Sequence, residues 1–428
     1  MQARVRAQIL NLLKCIHLVR PAGASRPSDL FFPGVHPPFA FPTGISVAWW
    51  RDERAHAAQR GVASLLVGSA ADFEGCDQET ARDAVLDTLK ETCNDSDIFH
   101  ADDVVFAKSS TLFECLRADL TECADQLFAR MQRKLSQAIG RCCTVFLVPR
   151  LKLPSFSIEN HGIHIVEVGD GDAWRRILNM GFVFSGWEPG VYGPGTDAGF
   201  SPPTDYSSAL LVDGKGTRSG IQFLSILKVR AFLAVTSAVA SRNAAHASLK
   251  GGIRTHEYCA QFPHVSNPQQ VRWRSDTEPL FPNFLEDVTI DQLGALEICR
   301  WFTQLDVAPT DVATRIEKAA HFLNLGLNTG GTGAFVNFFV ALDALLGRRG
   351  AVENSILEGL ERLGFEEADI NRAQSLFQLR NELVHGGSRY VEEWTLYPRY
   401  LRRFRSSPMR DVQRIAETAV LLAPDRLY

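Results

Sequence analysis

The stretch "LFQLRNELVHGG", residues 376–387, decides how this chain is read. At about 3.6 residues per turn, Leu376, Leu379 and Leu383 fall on one side of a helix and form a core-facing stripe. Arg380 flanks that stripe, while Asn381 and His385, four apart, share a neighbouring face. Gly386 and Gly387 are the residues that most readily take the left-handed conformation of a helix C-cap, which places His385 in or just past the last turn. A fixed cation and an imidazole are therefore expected at the open end of a rigid element.

Around this stretch the chain reads as helical from about residue 290 onward. "TIDQLGALEICRWFTQL" is followed by "PTDVATRIEKAAHFLNLGL", where Thr310 is the expected N-cap and Ile316, Ala319, Ala320 and Leu323 mark a buried face. After the linker "NTGGTG", the run "AFVNFFVALDALLG" places Phe335, Phe338, Phe339, Leu342, Leu345 and Leu346 on one broad stripe that belongs in a bundle interior. "ENSILEGLERLG", "EEADINRAQSLFQLRNELVH" and "PMRDVQRIAETAVLL" complete the set, the last with Ser407 as N-cap and Pro408 as first helical residue. Short connections between amphipathic helices predict an antiparallel bundle over 290–428.

Residues 1–289 read as a mixed α+β region of one or two subdomains, with no internal repeat. Strand-like runs such as "CCTVFLVP", "IHIVEV" and "SALLVDG" alternate with Gly- and Pro-rich stretches, "FFPGVHPPFAFPTG" and "GWEPGVYGPGTDAGFSPP". Helical patterns appear at "ARDAVLDTLKETC", "CLRADLTECADQLFARMQRKLSQAIG" and "SILKVRAFLAVTSAVASRNAAHA". The fold class expected for the whole is α+β, with the all-α part at the C-terminal end.

Composition narrows the function classes. The 428 residues, 45% of them hydrophobic, suffice for two or three domains with full cores. Forty-five basic against forty-nine acidic side chains give a net charge of −4, so any nucleic-acid contact needs a local patch. Nine cysteines occur without a C-x-x-C spacing, which suits reduced thiols and a cytoplasmic protein better than a zinc cluster or a disulfide framework. Lys14 and His17 interrupt the apolar run at the start, so an amphipathic helix is expected there and not a signal peptide. The longest apolar candidate, "AFLAVTSAVA", is short for a membrane span, and no membrane association is expected.

Several motifs carry little. His161 and His164 of "HGIH" point to opposite faces if the segment is a strand, so they make a poor metal pair. "NTGGTG" lacks the lysine of a phosphate-binding loop and follows a helix; "GPGTDAG" fails the dinucleotide spacing. No metal or cofactor is expected. Arg380, Asn381 and His385 have a structural reading as a cationic helix end matched to the helix dipole, and a functional one as an acid–base pair. In "TLYPRYLRRFRSSPMR", Arg399, Arg402, Arg403, Arg405 and Arg410 are interleaved with Tyr397, Tyr400 and Phe404. Residues 389–428 hold eight arginines against five acids. Such a stretch is either a solvated face or a surface for single-stranded RNA, on which guanidinium forks hold phosphates and Tyr400 stacks a base.

Residues 309–428 resemble the HEPN superfamily, and within it the Apea-like HEPN domains. The resemblance is carried by "ATRIEKAAHFLNLGL", "FVNFFVALDALLG" and "LFQLRNELVHGG" in that order. The family pattern, Arg-polar-x-x-x-His at a helix end with an acidic residue on an earlier helix, falls on Arg380, Asn381, His385 and Asp343. The family usually carries glutamate where this chain has Asp343, one methylene shorter. What the resemblance implies is a metal-independent ribonuclease of a prokaryotic defence or toxin system, active as a homodimer whose two motifs face each other. The rival implication is a non-catalytic HEPN module that dimerises and holds RNA or a protein. Arg380 and His385, five apart, lie about 140° from each other around a regular helix, which favours a composite site built from two chains. The resemblance does not reach the first two-thirds of the chain, for which a sensing or substrate-selecting role toward an unknown trigger is the expectation.

Overall fold

The computed structural model describes residues 2–21, 30–31, 49–93, 97–117, 119–184, 206–243, 257–266, 272–276, 280 and 287–427. They form two units: Met1–Arg141 with Lys215–Gln222, and Cys142–Gly214 with Phe223–Tyr428. Apart from Phe31, the stretch "FFPGVHPPFAFPTG" lies outside the described residues, as do "GWEPGVYGPGTDAGFSPP" with its "GPGTDAG" and residues 244–247 of the expected helix "SILKVRAFLAVTSAVASRNAAHA".

The first unit contains α1 (Gln2–Lys14), β1 (Ile16–His17), β2 (Leu30–Phe31), β3 (Trp49–Arg51), α2 (Ala55–Val67), α3 (Gln78–Thr92), α4 (Ala101–Val105) and α5 (Leu120–Gln137). The N-terminal segment is amphipathic as expected: Val5, Ile9, Leu12 and Leu13 of α1 are buried. They share a core with Val62 and Leu66 of α2, Val85 and Leu89 of α3, and Leu127, Met131 and Leu135 of α5. Asp77 and Asp119 start α3 and α5 by accepting backbone N–H bonds from Thr80 and from Thr121 and Glu122. β1 and β2 flank β3 antiparallel.

The second unit holds all but the end residues of β4 (Gly140–Pro149) and β8 (Tyr206–Gly216), with β5 (Leu151–Lys152), β6 (Phe156–Ile158), β7 (Ile163–Glu167) and α6 (Gly171–Leu178) between them. α7 (Arg218–Asn243), β9 (Glu257–Pro263), β10 (Arg272–Asp276) and β11 (Val288–Thr289) follow. A six-stranded sheet runs in the order β10-β9-β4-β8-β7-β6. Successive strand residues point to opposite faces, and both faces are covered. Val145 and Leu147 of β4 pack with Trp174 and Ile177 of α6, while Phe146 and Val148 face the core shared with α7 and the C-terminal helices.

Those helices are α8 (Gln292–Val307), α9 (Thr310–Leu327), α10 (Gly331–Leu346), α11 (Val352–Arg362), α12 (Glu367–Val384), α13 (Tyr397–Phe404) and α14 (Pro408–Arg426). All six residues of the expected stripe on α10 are buried. One continuous core joins Phe146 and Ile165 of the sheet, Phe232 and Val239 of α7, Trp301, Phe335, Phe338, Leu376, Leu379 and Ile415. The expected boundary at residue 289 therefore falls inside this unit. Ser407 caps α14 ahead of Pro408 as expected, accepting the N–H of Arg410. Thr310, expected as a cap, is instead the first residue of α9, because Pro309 in extended conformation already sets the entry.

α7 departs from the expectation in length. Its Arg218–Arg242 portion is long and apolar enough to cross a membrane, yet 72% of its most apolar window is buried inside the protein. A helix apolar on every side is what a core position between a sheet and a helical layer requires. Thr236 inside it returns its hydroxyl to the Phe232 carbonyl, and Ser225 bonds Thr144 of β4.

Candidate active site

The end of α12 is fixed by its own backbone. Gly386 takes the left-handed conformation at φ +78°, the Gly387 N–H donates to the Glu382 carbonyl at 2.7 Å, and the His385 N–H donates to Asn381 at 3.0 Å. This 6→1 bond across a left-handed glycine is the Schellman pattern. Beyond it, the Ser388 hydroxyl donates to the Glu382 carboxylate at 3.1 Å, and the Thr332 hydroxyl at the start of α10 donates to the Arg389 carbonyl at 2.9 Å. Arg389 pairs with Glu393 at 2.6 Å. His385 is thus presented from a cap anchored on both sides, with its ring exposed and without a hydrogen-bond partner among the described residues.

Arg380 is half-buried and donates from Nη1 to the Asn381 side-chain oxygen at 3.1 Å. Asn381 lies one turn before His385, so this bond turns the guanidinium toward the face that carries the imidazole. Asp343 is not brought to Arg380. It is exposed near the end of α10, and its carboxylate lies over Gly347, where an added methyl carbon would meet Oδ1 at 1.8 Å. Thr332 against Arg389, and the Phe339 and Phe377 rings 5.0 Å apart, set α10 antiparallel to α12. The Asp343 backbone accordingly lies about 10 Å along the axis from that of Arg380. The expected support of the guanidinium by this carboxylate is not formed: the shorter side chain folds back over its own helix end.

The arginine stretch splits into two roles. Arg399, Arg402, Arg403, Arg405 and Arg410 are exposed and form no ion pair among the described residues. Arg403 lies 4.9 Å over the Phe404 ring. Tyr400, expected to stack a base, is 3% exposed and donates its hydroxyl to Asp411 at 2.8 Å. Burial first, then the Asp411 charge, push its phenol well above the ordinary value. It is an anchor that ties α13 to α14, not a stacking surface.

Around that anchor sits a charge network that carries no motif in the sequence. Asp369 accepts from Arg414 at 2.6 Å and from Arg372 at 2.7 Å, and the bond from Arg414 contributes most to holding its carboxyl below the ordinary range. Arg372 also lies 5.3 Å over Phe404. The end of the arginine patch therefore packs against the first half of α12, about 20 Å along that helix from His385.

His161 and His164 do not converge. His161 sits in a short turn before β7 with Nε2 2.8 Å from Asp306, and His164 is buried in β7 against Ser157 at 2.9 Å. No three His, Cys, Asp or Glu side chains come together as a metal site would require, among the described residues. No family model matches the chain, and neither a curated protein nor a solved structure matches it.

Proposed function

We propose that this chain is a HEPN-type endoribonuclease of a prokaryotic defence or toxin system, cleaving RNA without a metal at a site built by Arg380, Asn381 and His385 in a homodimer. The observation that carries the reading is an exposed imidazole without a partner among the described residues, held by an anchored helix cap, with a guanidinium turned toward its face. In the reaction the imidazole takes the proton of a ribose 2′-hydroxyl, whose oxygen bonds the adjacent phosphorus. The bond from phosphorus to the 5′-oxygen breaks, and that oxygen takes a proton from the protonated His385 of the partner subunit. An imidazole nitrogen can accept the 2′-hydroxyl proton, and a guanidinium stabilises the charge on the phosphorane. Asn381 orients the guanidinium. Arg399, Arg402, Arg403, Arg405 and Arg410 hold the flanking phosphates, so RNA reaching both places runs along α12.

A chemical product test decides the reading. Labelled RNA incubated with the purified chain in EDTA is expected to yield fragments ending in 2′,3′-cyclic phosphate and 5′-hydroxyl, and DNA, which lacks the 2′-hydroxyl, is expected to remain intact. Products bearing 5′-phosphates, arrest by chelation or equal cutting of DNA would refute the mechanism. Light scattering tests the homodimer, and a monomer that still cuts RNA would remove the two-chain site.

A second reading is favoured by Asp343, which makes no hydrogen bond to Arg380: a HEPN module that dimerises and holds RNA without cutting it. Both readings share the arginine patch. Replacing Arg402, Arg403 and Arg405 together is expected to weaken RNA binding and to lower the slope of log affinity against log salt by about two to three, since each lost phosphate contact releases about one counterion fewer. An unchanged slope would make the patch a solvated face.

A further inference from the structure

The segment that leads from the α12 cap to α13 is held by its backbone and points one ring outward. Ser388 is buried, with its hydroxyl on Glu382. The Arg389 N–H donates to the Glu393 carboxylate at 2.8 Å, the Arg389 guanidinium pairs with the same carboxylate, and the Arg389 carbonyl accepts the Thr332 hydroxyl. The Tyr390 carbonyl accepts the Glu393 N–H at 3.2 Å. Val391 and Trp394 then enter the core and are buried. The Tyr390 backbone is thus fixed from both neighbours, whereas its side chain is 61% exposed. Its ring meets no other ring and its hydroxyl has no hydrogen-bond partner among the described residues.

An aromatic side chain stabilises a fold chiefly by burial, and this one contributes little of that. A single exposed ring is ordinary on a protein surface; its place singles it out. Tyr390 lies five residues after His385, at most about 18 Å along the chain, in the segment that joins the imidazole to the arginine patch. Of the aromatic side chains between His385 and Arg410, Trp394 and Tyr400 are buried, and Tyr397 and Phe404 pack on the core. Tyr390 is the one that stands in solvent among the described residues. Glu392 is exposed two residues on, and Glu393 is already paired with Arg389. Carboxylates there repel a phosphate, and they leave an uncharged stacking contact unopposed.

We infer that Tyr390 is the platform on which an unpaired nucleobase stacks, close to the cleaved bond of the RNA. The inference rests on the ribonuclease reading for its substrate and names the class of RNA the site takes. Every base has a π face, so the ring selects no sequence. It does require a base that can be splayed out of its strand, as bases in single-stranded loops and ends can and bases inside a duplex cannot.

Single-stranded 2′-O-methyl RNA carrying 2-aminopurine at successive positions tests it with the full chain. The blocked 2′-oxygen prevents cutting, so binding is read by itself. The wild type is expected to quench the 2-aminopurine at one or two adjacent positions, as stacking does. Tyr390→Ala is expected to remove that quenching and to weaken binding about five- to a hundredfold, the effect of losing one base–aromatic stack. Tyr390→Trp, which keeps a platform, is expected to restore both. Thermal scans check that the variants fold, and light scattering checks their assembly. Equal binding and quenching by the wild type and Tyr390→Ala would overturn the assignment, and so would loss of the homodimer in Tyr390→Ala, which would make the ring a protein contact. Quenching that depends on Tyr390, with unmodified RNA left uncut, would sink the ribonuclease reading and keep the platform. Cleavage of unmodified RNA by the wild type and Tyr390→Ala alike, with no quenching, would keep the ribonuclease and sink the platform.

Discussion

His385→Ala and Arg380→Ala are each expected to lower RNA cleavage by at least about two orders of magnitude while leaving the melting temperature nearly unchanged. General-base catalysis by a placed side chain is worth about 10²–10⁴ in rate, and stabilisation of the phosphorane charge by a fixed cation is of similar size. Stability should hold because the His385 ring is exposed and bonded to nothing among the described residues, and Arg380 bonds only its neighbour Asn381. Truncation at either position leaves no core cavity. Asn381→Ala is expected to cost less, since it orients the guanidinium and carries none of the charge. Asp343→Ala provides the internal control. With its carboxylate folded over Gly347, it should leave the rate within a few-fold. Equal cleavage by the wild type and both main variants would sink the catalytic assignment, whereas a wild type that binds RNA and never cuts it would favour the binding module.

The parts of the fold set by local periodicity were legible in the chain, and the parts set by tertiary contact were not. The stripe on α10 and the capped end of α12 follow from side-chain spacing and from glycine's access to positive φ, so Phe335, Leu379 and Gly386 occupy the positions expected of them. The α+β class is also as expected. The common core of sheet and C-terminal helices was hidden because no short-range pattern records which apolar faces meet; α7, apolar on every side, gives no period at all. At the site, spacing placed Arg380, Asn381 and His385 on one helix end. It gave no access to the rotamers that send Arg380 to Asn381 and Asp343 away from both. Tyr400 shows the same limit: an aromatic between arginines reads as a stacking surface until its hydroxyl is seen on Asp411, a residue eleven positions later.

Glu417→Gln is expected to stabilise the protein at alkaline pH and to do little at acid pH. Glu417 lies in α14 and is 6% exposed. Its Oε1 accepts from the Gln413 amide at 2.9 Å and from the Ser241 hydroxyl at 3.4 Å. Neither donor is a cation, so burial dominates and pushes its carboxyl up to about 7 from an ordinary 4.5, with the two hydrogen bonds opposing. Between those two values the folded chain holds a proton that the unfolded chain has released. Stability therefore falls as pH rises through this window, because folding must either keep the proton or bury the charge. The difference between the two values corresponds to roughly 3 kcal/mol of stability, fully present below about pH 4.5 and fully lost above about pH 8. Glutamine keeps the oxygen that accepts both bonds and cannot ionise. Denaturant unfolding of the wild type and the variant should give stabilities that nearly coincide near pH 4.5 and diverge by roughly 3 kcal/mol in favour of the variant at pH 8.5. A gap of the same size at both pH values would show that the substitution acts through packing and not through the buried charge.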